Sequence, residues 1–193
     1  MYNLNDATEN KPQGGLPFRF HLKSVPSAAQ TNGTKTQRAS ITIPNTPATL
    51  SAKKIPLQSI RALPTGRLLE EVGDRIRVTV FTRVTASTGA DKTADIYVEA
   101  ANSGAADQVL GVVSVGPDAA DRLLKHEFDL VVIDPSTITA AVVAGPGASA
   151  ATIDLSVDLV LKIKAAVGGT PAAESFVIVG AYAEVFPISD VSP

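Results

Sequence analysis

Residues 152–167 constrain the fold more than any other stretch of this chain. Ile153, Leu155, Val157, Leu159, Leu161, Ile163 and Ala165 alternate with Thr152, Asp154, Ser156, Asp158, Lys162 and Lys164, and Val160 is the one apolar residue on the polar side. Successive side chains of an extended backbone point to opposite sides, so a period of two predicts a β-strand with one buried and one wet face. The alternation predicts one strand across the whole stretch, well beyond the usual length of about five or six residues. Such a strand must bend or change neighbours along its course. Residues 174–186 (ESFVIVGAYAEVF) are apolar on both faces, which predicts a central strand, and GGTP before them predicts a turn. Together the two stretches read as a long hairpin.

The rest of the chain repeats the theme in shorter units. Residues 16–25 alternate Phe18, Phe20 and Leu22 with Arg19, His21 and Lys23, and predict a strand. Residues 39–43 predict a short strand closed by Pro44. Three prolines within residues 45–64 favour irregular or edge-type extended chain. Residues 65–73 (TGRLLEEVG) suggest one or two helical turns, and residues 117–127 (PDAADRLLKHE) are the best helix candidate, capped by Asp118. Further strands are predicted over residues 74–85, 94–101, 128–133 and 137–143. The almost continuous apolar run 108–115 reads as a central strand. Asn32-Gly33 is a strong turn pair, and the loop AGPGASA precedes the long strand.

The expectation is an all-β fold, an antiparallel β-sandwich or jelly roll of about eight to ten strands with one or two short helices in loops. Residues 1–15 read as an extended N-terminal arm, residues 16–187 as a single β-sandwich domain, and residues 188–193 as a C-terminal tail. No period of about 20 to 50 residues repeats, which argues against a propeller or solenoid.

Chemistry is sparse. The chain has no cysteine, which removes disulfides, thiolate catalysis and cysteine zinc sites together. The two histidines, His21 and His126, read as surface residues, and His126-Glu127 lacks the second histidine of a helical zinc motif because position 130 is Leu130. Gly145-Pro146-Gly147 leads into a strand, whereas a phosphate-cradling loop needs a helix N-terminus. No Gly-x-Ser-x-Gly elbow occurs. Asp154 and Asp158, placed on one strand, would lie about 13 Å apart, too far for a glycosidase pair. No catalytic, cofactor-binding or metal-binding residue is therefore assigned. Asp154, Asp158, Lys162 and Lys164 instead form a candidate subunit-contact face, with acids at one end and bases at the other.

Net charge is -2, so no global basic field attracts nucleic acid. Up to position 60, Lys11, Arg19, Lys23, Lys35, Arg38, Lys53 and Lys54 outweigh Asp6 and Glu9. That bias allows but does not favour nucleic-acid contact by the N-terminal region; docking of the arm on the acidic body of the same or a neighbouring subunit fits better. The N-terminus lacks the pattern of a secretory signal, and no apolar run approaches the roughly 18 residues of a membrane span.

A polar arm, about eight strands and short helices in the inter-strand loops together resemble the single jelly-roll coat proteins of icosahedral viruses. The resemblance is architectural and matches no motif, so no functional residue comes with it. It implies a non-enzymatic virion structural protein without cofactors: a self-assembling capsid subunit or a capsid-decorating one. Its partners would be copies of itself and other virion proteins, and its location the virion, assembled in the host cytoplasm. The alternative is a carbohydrate- or receptor-binding β-sandwich module like an adhesin or lectin. That reading needs aromatic platforms, yet there is no tryptophan, and of Tyr2, Tyr97 and Tyr182 only Tyr97 is placed to face solvent. An enzyme on the same scaffold would need a histidine and carboxylate metal cluster, against which two isolated histidines argue.

Overall fold

The structure is a computed structural model and describes residues 18–21, 34–52, 67–84, 94–101, 106–116, 121–167 and 176–187. Ten strands follow in chain order: β1 Phe18–His21, β2 Thr36–Ile43, β3 Arg75–Val84, β4 Ala94–Ala100, β5 Gln108–Val115, β6 Arg122–Asp134, β7 Ala141–Ala144, β8 Ala151–Ile153, β9 Leu159–Val167 and β10 Phe176–Phe186. One short helix, α1 (Pro47–Ala52), follows β2. The strands form a six-stranded sheet, β1-β10-β3-β6-β7-β8, and a four-stranded sheet, β2-β9-β4-β5, all antiparallel.

Setting aside the β7–β8 hairpin, the pairing is nested. The first strand pairs with the last (β1–β10), the second with the second-last (β2–β9), then β3 with β6 and β4 with β5. A long antiparallel ribbon rolled onto itself gives this order, which is the jelly roll expected from the sequence. Period-two burial holds the two sheets together. Ile41 and Ile43, Ile76, Val78 and Val80, Phe128, Leu130 and Val132, and Leu159, Leu161 and Ile163 all point into one shared apolar cluster. Each such side chain contributes about 1.5–3 kcal/mol on burial.

Residues 152–167 do not form one strand. Ala151–Ile153 ends the six-stranded sheet, the chain turns through residues 154–158, and Leu159–Val167 lies between β2 and β4 in the other sheet. The polar residues that mimic a wet face make the turn. The Asp154 carboxylate accepts the Ser156 amide at 2.8 Å and its hydroxyl at 2.6 Å, a local bond that competes with the sheet ladder. Leu155 stays fully buried through the crossing, so hydropathy alternates although the backbone does not stay extended. The predicted long hairpin fails for the same reason: β9 and β10 belong to different sheets.

Both helix expectations are corrected where the residues are described. Residues 122–127 are the start of β6, with Leu124, His126, Phe128 and Leu130 at inward positions and Leu123, Lys125, Glu127 and Asp129 outward. Cross-strand pairing with β3 overrides the local helical pattern; residues 117–120 lie outside the described residues. Residues 67–73 form turns rather than a helix, because the Asp74 carboxylate accepts the amides of Glu70 and Glu71 at 2.8 and 2.9 Å and Gly73 takes a positive φ of 92°. The helix lies instead at α1, started by Thr46 as cap and Pro47 in the first helical position. The run 108–115 is an edge strand, β5, and 138–140 is a 3-10 turn that delays β7 to Ala141. The arm and tail expectations, 1–15 and 188–193, lie outside the described residues.

The loop between β7 and β8 packs onto β5. Val112 donates its amide to the Pro146 carbonyl at 3.0 Å. A Cβ on Gly145 would stand 2.0 Å from the Leu110 carbonyl oxygen, and one on Gly147, at φ +69°, 2.4 Å from that of Val112. Glycine is needed here for close backbone approach, and the loop covers part of an edge that would otherwise be open.

Candidate functional site

Polar side chains concentrate in three places. On the outer face of the four-stranded sheet, β9 presents Lys162 and Lys164, β4 presents Glu99, and the chain entering β5 brings Asp107. Lys162 donates to both Asp107 carboxylate oxygens at 2.8 and 2.9 Å; Lys164 donates to Asp107 at 2.8 Å and pairs with Glu99. Lys35 reaches Glu99 from ahead of β2, and its ammonium lies 4.8 Å from the Tyr97 ring centre. Glu99 is 1% exposed although it faces outward, since lysine stems cover it. Hydrogen bonds from Lys162 and then Lys164 hold the Asp107 carboxyl below its ordinary range. Burial works to lower Lys164, but the bonds to Asp107 and Glu99 outweigh it and raise the ammonium above its usual value.

The four residues of the predicted contact face are therefore divided. Lys162 and Lys164 share this network, while Asp154 and Asp158 lie in the turn ahead of β9. Asp158 belongs to a second centre, at the end of the sandwich. One of its carboxylate oxygens accepts the amides of Asn45 and Thr46 at 2.9 and 3.3 Å and the Thr49 hydroxyl at 2.7 Å. Asn45, fully buried, uses its side-chain oxygen to accept the amides of Leu68 and Leu69 at 3.0 and 2.8 Å. Its side-chain nitrogen donates to the carbonyls of Leu155 and Leu69 at 2.7 and 3.2 Å. One amide thus joins three chain segments. The sequence reading passed over it; the signal available was an asparagine between two prolines, Pro44-Asn45-Thr46-Pro47.

The third place is the outer face of the six-stranded sheet, where one row crosses four strands as Arg19, Glu184, Arg77 and Asp129. Arg19 Nε donates to Glu184 at 2.9 Å and Arg77 Nε to Asp129 at 3.0 Å. Aromatic rings lie beside the row: Arg19 stands 4.7 Å from the Tyr182 ring centre and Arg75 4.6 Å from that of Phe186. Arg19 and Lys35, from the basic first third of the chain, both take carboxylates from the acidic remainder.

His126 is not a surface histidine. It is half-buried, its Nε2 lies 3.0 Å from the Thr82 hydroxyl, and burial lowers its pKa from the ordinary 6.5. The backbone of His21 pairs with Tyr182 on β1. Among the described residues no three histidine, cysteine or carboxylate side chains gather as a metal site, and no helix is long and apolar enough to cross a membrane. Neither a scan against protein-family models nor a search of curated proteins finds a match for this chain. The polar groups mostly bind each other. Arrayed this way they fix loops and sheet faces.

Proposed function

We propose that this chain is a non-enzymatic structural subunit of a virion, assembling with copies of itself and other virion proteins as a coat or capsid-decorating protein. The observation that carries the reading is the nested pairing of eight strands into a jelly roll, the architecture of single-jelly-roll coat proteins. The likeness to such coats is architectural. Two features support the proposal. Charged side chains on both outer faces form ion pairs across neighbouring strands that stiffen a building block, and the inward faces form one continuous core. The sugar-binding alternative has less support, because the Tyr97 ring that would serve as a platform is already stacked against Lys35.

Size-exclusion chromatography of the full chain with negative-stain imaging tests the proposal. Closed shells, rings or capsomer-sized multimers are the expected outcome. A monomer at all concentrations that instead binds glycans would overturn it.

A further inference from the structure

The strand β6 leaves a gap in the six-stranded sheet. The Val132 amide donates to the Asp74 carbonyl on the β3 side. With the unbroken β3–β6 register, this directs the even-numbered amides and carbonyls of β6 toward β3 and the odd-numbered ones outward. β7 takes up the outward groups only from Val131 onward. Among the described residues nothing pairs with the outward groups of Leu123, Lys125, Glu127 and Asp129. The open slot runs from residue 123 to residue 129, and its midpoint is His126. An unpaired edge of this length is a template for another strand.

We propose that a second copy of this chain fills the slot with its own β6, antiparallel about a two-fold axis through His126. Two arguments select that occupant and that register. The first is fit: about this axis, residues 123–129 of one copy lie opposite residues 129–123 of the other, so each strand occupies the whole slot and stops where β7 begins. The second is charge. Lys125 and Glu127 pair with each other at 2.7 Å in the single chain; about this axis Lys125 of each copy also faces Glu127 of the other, so the two pairs join into one alternating four-charge cluster. Moving the axis by one residue sets Lys125 against Lys125 or Glu127 against Glu127, which disfavours both neighbouring registers. The result is a sheet of twelve strands continuous through two subunits, with an isologous contact of the kind two-fold dimers use.

This deepens the reading of the chain as an assembling subunit and rests on it for its biological sense, but the contact is tested separately. The chain lacks cysteine, so a single introduced thiol reports its own position. Directly opposed residues outside the hydrogen-bonded pairs stand about 4.5 Å apart at Cα, within disulfide reach. Under mild oxidation the full-length His126→Cys variant should form a linked dimer on a non-reducing gel, well above Lys125→Cys and Glu127→Cys. Equal linking at all three positions, or none at 126, overturns the proposal. Independently, Glu127→Lys should weaken dimerisation about tenfold, and adding Lys125→Glu should restore it, because the swapped pair is again complementary. Failure of the double variant to recover also overturns the contact. Particles in the microscope with no 126 link leave the assembly reading standing and remove this contact; a 126-linked dimer that never grows does the reverse.

Discussion

Asn45 shows how much one buried amide can hold. Removing it leaves two peptide N–H groups and two carbonyls without their partners in a buried place. An unsatisfied buried group costs about 1–3 kcal/mol, so Asn45→Ala should destabilise the fold by roughly 3 kcal/mol or more after relaxation, read as a lower urea midpoint. Titration acts at the same scale. His126 has a folded pKa below its ordinary 6.5, so the folded state binds fewer protons than the unfolded chain. Its contribution is complete above about 6.5 and is lost as the pH falls through the folded value. Asp107 follows the same sign in a lower window: its contribution is present above the ordinary carboxylate range and is lost as the pH falls through its depressed pKa. Urea midpoints measured across pH should therefore decline below neutrality, and His126→Gln should flatten the upper part of that decline while leaving the acid part.

At the scale of elements, the β7–β8 hairpin is an addition to the nested plan, and its loop is fastened to β5 by glycines. Placing a methyl group at Gly145 forces the loop off the Leu110 carbonyl, so Gly145→Ala should cost about 1–3 kcal/mol and raise amide exchange at Val112, whose partner is Pro146. Elements also show where sequence reading succeeds. β3 and β4 were legible because one face is buried and hydropathy alternates, and β10 because a run apolar on both faces marks a central strand. Over residues 152–167 the same cue misleads, since an aspartate-serine turn keeps Leu155 buried and leaves Val157 exposed while the chain changes sheets. In β6 the helical pattern of Leu123, Leu124 and Glu127 is local, whereas the register with β3 that decides the outcome comes from a segment about 50 residues earlier. The candidate site was half legible. Lys162 and Lys164 do share a face, but their carboxylate partners Glu99 and Asp107 come from another strand and a loop, which no spacing along residues 152–167 could indicate.

For the whole molecule, the nesting places the first and last strands side by side, with Phe18 opposite Val185 and Arg19 opposite Glu184. The chain thus enters and leaves the sandwich at the same end. Tension applied between those two points would run across the β1–β10 ladder instead of along it, loading its hydrogen bonds one after another. The molecule would open like a zipper from the Arg19–Glu184 end, while the β3–β6 and β2–β9 ladders stayed closed. Mechanically, the strand pair that completes the roll is the first that such a pull would part.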